Sequence, residues 1–424
     1  MNLYDLKKSG EAHLKLAFYA FAILSLSAIV SARAVASDFK TELSSGYDSF
    51  MDRYTIVDED TFDVINEYYI GLGNVVLLGN GKTRFIMRNL FRYGNQTIDD
   101  DLNLSFISPL SKEIKFDLKS NLNIKHFQSG SDYSLSNDYR QFNTTARIRK
   151  AFGGTYSAAL KGRIEILDYA DRTEFDYDYK YADAGLELER NDDEGNSLHL
   201  GAFAGFRDVP DTTDLSYRRE LIDLECYLGQ GNRINARLIS SADRKDYSSD
   251  ARSSYWYVVS SAEIEAKVTR RSALSFIGET EFISYDVPSE IYFDTQFIRG
   301  GIRFKREIAV LSSVHIEPRV GRMFCRDYAE ERYTEGSVVL GVDIFKSTRF
   351  WLNASYEPGY RDYLLEENNI YSDFYINRIS LIMNLFVPGN TGITLYLNHE
   401  PERHTRRDDD FSITLISLEL KKSF

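Results

Sequence analysis

The chain has 424 residues, of which 43% are hydrophobic and 14% aromatic, and its mean hydropathy is −0.36. A helical membrane protein is far more apolar, whereas a transmembrane β-barrel carries its apolar residues at every second position and is moderate on average. The chain has 64 acidic and 51 basic residues, and the resulting net charge of −13 disfavours nucleic acid as a partner.

The first 36 residues have the three parts of a secretory signal peptide. Basic residues precede a short apolar stretch at residues 16–30, and Ala34 and Ala36 form an A-x-A site. Because the apolar stretch is short for a membrane-spanning helix, we predict a leader that is cleaved before Ser37. The mature chain, residues 37–424, shows no composition shift and is predicted to be one domain.

The mature chain alternates between apolar and polar residues over many consecutive segments. The clearest segment is 114–125, where the even-numbered side chains are mostly apolar and the odd-numbered ones polar, and segments 336–344 and 375–385 show the same split. Many segments run for about ten residues or more, the length that a tilted strand needs to cross a bilayer, whereas soluble strands usually run for about five or six.

Connections give an independent signal. Tight turns, such as residues 153–154, alternate with polar stretches that we predict to be loops, among them residues 48–61, 96–101 and 400–410. Short turns at one end and longer loops at the other are typical of outer-membrane barrels.

We count about 18–20 strands. The count is uncertain because two segments, 39–46 and 307–314, are ambiguous. The first strand begins close to the predicted cleavage site, so we predict no plug domain.

Aromatic residues cluster near the ends of the predicted strands, for example at residues 255–257 and 350–351. In a membrane barrel such clusters form girdles at the two interfaces between lipid and water. We therefore predict that these clusters form the girdles of this chain.

The last predicted strand ends the chain on Phe424, with Ile416, Leu418 and Leu420 on the same face. A closing strand with a terminal Phe, behind a secretory leader, resembles the last strand of Gram-negative outer-membrane β-barrels of the porin type. The resemblance implies a single transmembrane antiparallel up-and-down barrel. It also implies recognition of Phe424 by the barrel-assembly machinery, and a place among outer-membrane lipid and lipopolysaccharide.

A barrel of about 20 strands has a backbone diameter of about 40 Å, too wide for inward side chains alone to fill. The polar faces would then line a channel, and they carry two arcs of charge. The basic arc contains Arg84, Arg88, Arg92, Lys115, Lys119, Lys125, Arg147, Arg149, Lys161 and Arg163. The acidic arc contains Asp183, Glu187, Glu189, Asp223, Glu225, Glu263, Glu265, Glu279 and Glu281. Opposed arcs would create a transverse field across the lumen, and the alternative is a ladder of salt bridges between neighbouring strands.

Catalytic and metal-binding signals are weak. The two cysteines lie on predicted strands far apart in the chain, which disfavours a disulfide. The only cluster with His and acidic residues close together is at residues 399–404, and it lacks a recognisable catalytic spacing. We predict no enzymatic activity, no cofactor and no metal site.

The sequence therefore predicts an outer-membrane channel for passive passage of small hydrophilic solutes. A second resemblance offers an alternative: residues 44–54 resemble the start of β-barrel porins that are encoded with exopolysaccharide export systems. This resemblance implies a polysaccharide as the transported partner. A structural or adhesive barrel without an open pore is a third possibility.

Overall fold

The computed structural model describes residues 38–56, 59–79, 82–128, 137–171, 176–229, 233–346, 349–365 and 372–424. They form twenty strands: β1 Asp38–Ile56, β2 Glu59–Leu78, β3 Arg84–Gly94, β4 Thr97–Pro109, β5 Ile114–Phe127, β6 Tyr139–Phe152, β7 Tyr156–Tyr169, β8 Tyr179–Asn191, β9 Ser197–Asp208, β10 Tyr217–Leu228, β11 Ile234–Tyr247, β12 Tyr255–Thr269, β13 Ser272–Tyr285, β14 Thr295–Ala309, β15 Ser312–Cys325, β16 Tyr333–Lys346, β17 Phe350–Tyr363, β18 Phe374–Val387, β19 Thr391–His404 and β20 Phe411–Ser423. The predicted leader and its cleavage site lie outside the described residues. No helix in the described part of the chain is both long and apolar enough to cross a membrane.

The twenty strands form one closed sheet. Every strand pairs antiparallel with the strands before and after it, and β1 pairs with β20. The closing seam runs from Glu42 opposite Ser423 to Tyr54 opposite Phe411. Closure gives each strand a hydrogen-bonded neighbour on both sides, as a β-structure in a bilayer requires. The predicted all-β, up-and-down barrel is confirmed, with a strand number at the top of the predicted range.

The two faces of the wall differ in chemistry because successive side chains of a strand point to opposite faces. On β15, Ile316 and Val320 point outward and Val320 is 64% exposed, whereas Glu317 is 0% exposed. Exposed apolar side chains recur on the outward face of other strands, for example Leu186 on β8 at 63%. An apolar belt around a closed barrel is the surface that lipid covers, so the wall is that of a transmembrane barrel.

The barrel has two distinct ends. The first described residue, Asp38, and the last, Phe424, lie at one end, which we call the terminal end; the opposite end is the loop end. Connections at the terminal end are short, for example residues 270–271. Those at the loop end are mostly longer, for example residues 209–216 and 286–294. The predicted alternation of short and long connections is therefore present.

Turn chemistry explains which boundaries were visible in the sequence. Between β6 and β7, Gly153 and Gly154 have φ angles of 59° and 82°, in the left-handed region that favours glycine. Between β14 and β15 the same region is occupied by Leu311, with φ 57°. Because no glycine marks this second turn, the boundary near 307–314 was ambiguous in the sequence.

Three stretches predicted as loops contain strand residues, and this corrects the sequence interpretation: 48–61 and 96–101 are largely strand, and 400–410 is strand in its first five residues. At 48–61, β1 continues to Ile56 and β2 begins at Glu59; at 96–101, β4 begins at Thr97; at 400–410, β19 continues to His404. The physical reason is that water-facing lumen residues are as polar as loop residues. In this barrel, polarity alone does not separate a loop from a strand.

The acidic run in β4 shows how such residues are accommodated. Asp99 accepts a hydrogen bond of 2.9 Å from Asn123, and Asp101 accepts one of 2.6 Å from Asn121. Both donors lie on the neighbouring strand β5, so these two carboxylates are held by the inner wall rather than by a loop.

Candidate functional site

The inner wall carries a run of alternating charges from β12 to β19, which we call the long ladder. In order, its members are Glu263, Arg303, Glu317, Arg319, Glu357, Arg378 and Glu400. The nitrogen–oxygen distance is 3.1 Å between Arg303 and Glu263 and 2.6 Å between Arg303 and Glu317. From Arg319 onward the successive distances are 3.8, 3.9 and 3.7 Å. The ladder thus links six of the eight strands in this part of the wall.

Glu317 is the most enclosed charge of the long ladder. Its side chain is fully buried, and each carboxylate oxygen accepts a hydrogen bond from a guanidinium Nε, one from Arg303 and one from Arg319. A carboxylate deprived of water is stable only when charged donors replace its hydration. Glu317 therefore ties together two arginines from neighbouring strands.

A second run, the short ladder, joins Glu279 on β13, Arg299 on β14, Glu335 on β16 and Arg361 on β17. Arg299 Nε lies 2.8 Å from Glu279 Oε2, and Arg361 Nη2 lies 2.9 Å from Glu335 Oε2. Arg299 Nη1 is 3.9 Å from Glu335 and links the two pairs. Together the two ladders contain six carboxylates and five guanidinium groups, each in contact with at least one opposite charge.

Most of the ladder residues were missed by the sequence analysis, which followed the charges only as far as Glu281. The missed residues are Arg299, Arg303, Glu317, Arg319, Glu335, Glu357, Arg361, Arg378 and Glu400. The signal was present, because these residues occupy the polar positions of the same period-two pattern. Extending that pattern through β14–β19 would have found them.

The predicted basic arc is paired with acidic residues where the two predicted arcs meet. Arg147 Nε lies 2.6 Å from Glu187, and Lys161 Nζ lies 3.3 Å from the same carboxylate. Arg149 Nη1 lies 3.5 Å from Glu189. For these residues the structure shows salt bridges between nearby strands, which was the alternative reading of the charge pattern.

Other members of the basic arc have varied surroundings. The remaining contacts are Arg163 with Glu165, Lys115 with Asp117, Arg92 with Glu419, and Lys125 over the ring of Phe127. Arg84 lies on the same face of β3 as Arg88 and Arg92. Arg88 and Lys119 are exposed, and neither forms an ion pair with any residue in the described ranges. The charges of these two cations are therefore open to the lumen.

Three further members of the acidic arc accept hydrogen bonds from neutral donors. These contacts are Asp183 with Tyr181, Asp223 with Ser241, and Glu265 with Asn235. Glu225 is exposed on the inward face of β10, and Glu281 shares the inward face of β13 with Glu279.

The two predicted arcs adjoin each other, which corrects the expectation that they oppose each other. The basic arc lies on β3–β7 and the acidic arc on β8–β13, and consecutive strands are neighbours in the barrel. The strands that lie ten positions away from β3–β7 are β13–β17, which carry much of the two ladders. In an up-and-down barrel, strands that are consecutive in sequence are neighbours in the wall. Two blocks of strands therefore face each other across the lumen only when they are about half the barrel apart.

Aromatic side chains at the loop end also divide between the two faces. In the cluster at residues 255–257, Trp256 points outward and is partly exposed, whereas Tyr255 and Tyr257 point inward. The predicted girdle is therefore corrected for these two tyrosines: the period-two alternation of a strand sends neighbouring aromatic residues to lipid and to lumen in turn.

Tyrosines from four successive strands, β10–β13, and from the connection that follows β13 meet around the loop end. The rings of Tyr217, Tyr247, Tyr255, Tyr285 and Tyr292, which we call the tyrosine arc, form a chain of contacts with centroid distances of 5.5, 6.4, 5.4 and 5.4 Å. Each of these five side chains is partly buried. The sequence analysis did not predict an aromatic surface inside the lumen.

The last strand is placed as the closing strand of the barrel. Leu418 and Leu420 point outward and are exposed, in line with Ile416. The backbone of Phe424 exchanges hydrogen bonds of 3.4 and 2.8 Å with Thr41 on β1. Recognition of Phe424 during barrel assembly stays a prediction.

The two histidines at 399–404 lie on opposite faces, and on the inward face His404 Nε2 lies 3.6 Å from Glu402 Oε2. His399 points outward and contacts Thr414, whereas His404 points inward and contacts Ser372. An odd separation along a strand sends two side chains to opposite faces. In the described residues there is no group of three or more side chains suited to hold a metal ion.

No protein-family model matches the chain, and no curated protein matches its sequence. Solved structures match its fold. They include the alcaligin outer-membrane receptor FauA from Bordetella pertussis, with 9% identity over 91% of this chain and 76% of that chain and a TM-score of 0.56. OccAB4 from Acinetobacter baumannii matches with 10% identity over 92% of this chain and 99% of its own, and a TM-score of 0.50. The outer-membrane protein OpdK from Pseudomonas aeruginosa matches with 10% identity over 92% of this chain and 100% of its own, and a TM-score of 0.50. The chain therefore has the closed transmembrane β-barrel fold of these outer-membrane proteins.

Proposed function

We propose that the protein is an outer-membrane channel that passes small hydrophilic solutes through a charged lumen. The observation that carries the proposal is the contrast between the two faces of the wall: an apolar belt outside, and paired and open charges inside. All twenty described strands belong to the wall, and no separate domain occupies the interior among the described residues. The outer-membrane location is supported by the shared fold of FauA and OpdK.

The test is the conductance of the purified, folded barrel in a planar lipid bilayer. We expect stepwise increases in current, because a water-filled lumen conducts ions. Adding polyethylene glycols of increasing size should identify the size at which a polymer no longer enters the lumen. A sample unfolded by boiling is the control. A folded barrel that gives no current would contradict the channel and favour the structural or adhesive barrel.

Ion selectivity provides a sharper prediction about the lumen wall. Replacing Arg88 and Lys119 together by Gln should shift the selectivity of the channel toward cations, since both charges are open to the lumen. Fixed charges set the local counter-ion concentration within about 10 Å at 0.1 M salt, so the shift should shrink in concentrated salt. Reversal potentials under a salt gradient measure this shift.

The matched control keeps both charges, with Arg88→Lys and Lys119→Arg in one protein. Its selectivity should equal that of the parent channel. If the neutral and the charge-conserving variants give the same reversal potential, these two residues do not face the permeation path.

A further inference from the structure

Two cations at the loop end of the lumen contact aromatic rings instead of carboxylates. Arg207 Cζ lies 4.1 Å from the ring centroid of Tyr179 and 5.8 Å from that of Tyr217. Lys245 Nζ lies 5.4 Å from the ring centroid of Tyr217 and 5.5 Å from that of Tyr255. The two cations therefore sit on either side of Tyr217, at the start of the tyrosine arc.

Charged residues near Arg207 and Lys245 form ion pairs, whereas these two cations form none within the described part of the chain. Arg219, next to these cations, forms two hydrogen bonds to the carboxylate of Asp243, of 2.8 and 3.0 Å. Glu165 on β7 is likewise paired with Arg163. Neither Arg207 nor Lys245 forms an ion pair with a residue in the described ranges, and the Nε of Arg207 is buried with no hydrogen-bond partner there. Unlike Arg219 and Arg163, these two cations are therefore not neutralised by a direct ion pair with a described carboxylate.

We propose that Arg207, Lys245 and the tyrosine arc bind an anionic saccharide, a chain of sugar units that carry carboxylates. Guanidinium and ammonium groups form strong charge-assisted hydrogen bonds with carboxylates. A tyrosine ring offers an apolar surface to the carbon-bound hydrogens of a sugar ring, and its hydroxyl group offers a hydrogen bond. The succession of five rings gives several sugar units a place along the wall.

The inference rests on the proposed function, because this surface lies on the inner wall at the loop end of the same lumen. It narrows the solute class from hydrophilic solutes in general to acidic saccharides. A neutral saccharide could use the rings but would leave both cations without an anion. A single small carboxylate could pair with the cations but would contact only a small part of the arc.

The experiment measures equilibrium binding to the detergent-solubilised, folded barrel by calorimetry, with three probes: hexagalacturonate, neutral maltohexaose and monomeric galacturonate. Hexagalacturonate should bind at least about tenfold more tightly than either other probe, since lost charged hydrogen bonds or lost ring contacts each weaken binding by about that factor. Equal affinity for hexagalacturonate and maltohexaose overturns the inference, as does equal affinity for hexagalacturonate and the monomer.

Variants locate the site. Arg207→Gln with Lys245→Gln should lower the affinity for hexagalacturonate by about tenfold or more, and Tyr255→Ala should lower it as well. The matched control is Arg237→Gln on the same strand as Lys245: Arg237 also lies over a tyrosine, Tyr227, at 5.4 Å, but near the terminal end. This variant should bind like the parent protein.

Binding and conduction are separate readouts, so the two proposals can fail separately. A barrel that conducts but does not bind hexagalacturonate overturns the saccharide site alone. A barrel that binds but gives no current overturns the channel alone. A double variant of Arg207 and Lys245 that is folded and still binds like the parent protein also overturns the saccharide site, and a heat-dependent shift on a denaturing gel verifies that each variant is folded.

Discussion

Replacing Ile222 by Arg is expected to lower the free energy of unfolding by about 2–4 kcal/mol, because the new charge would lie against hydrocarbon near the middle of the bilayer. Ile222 is half-exposed on the outward face of β10, about midway along the strand. The measurement is a urea titration of the barrel folded into lipid vesicles, monitored by the loss of β-structure and of the heat-dependent gel shift.

The adjacent residue provides the matched control. Leu221 lies on the inward face of the same strand, beside the charged positions Arg219 and Asp223. Because an arginine at 221 would reach water, Leu221→Arg should cost much less than Ile222→Arg. Equal costs at the two positions would contradict the assignment of the outer face to lipid.

Replacing Glu317 by Ala is expected to lower the free energy of unfolding by about 3–5 kcal/mol, because it removes one partner of a buried ionic network and leaves charge uncompensated. Glu317 is fully buried, and its two oxygens accept hydrogen bonds from Arg303 and Arg319. Glu263 and Glu357 remain near these arginines in the variant and should hold the loss toward the lower end of that range. The same urea titration measures the change.

Glu225→Ala is the matched control for this second prediction. Glu225 also faces the lumen, but it is exposed and forms no ion pair with a described residue. Its replacement should change the free energy of unfolding by no more than about 0.5 kcal/mol. A loss at Glu317 as small as that at Glu225 would show that the long ladder does not stabilise the wall.

Much of the fold could be predicted from the sequence because the relevant signals are local. The alternation at residues 114–125 identifies a strand with one apolar and one polar face without knowledge of its neighbours. Glycines at 153 and 154 mark a turn because their backbone conformation is costly for other residues. Strand length then distinguishes a membrane barrel from a soluble sheet.

Loop boundaries and aromatic positions were less predictable. The acidic stretch that contains Asp99 and Asp101 resembles a loop in composition, but it is part of the water-facing wall. In the cluster at 255–257, only the phase of the strand decides which ring meets lipid and which meets the lumen. A shift of one residue reverses that choice, and composition does not record the phase.

The sequence by itself determined that the chain alternates in polarity over some twenty strand-length segments and that its polar faces carry two blocks of opposite charge. The tertiary structure alone decided which charges meet: Arg147 on β6 reaches Glu187 on β8, and Arg303 on β14 reaches Glu263 on β12, each across an intervening strand. Such contacts depend on the register of three strands at once. Register is set by turn geometry and by closure of the whole barrel, and neither is a property of any single segment.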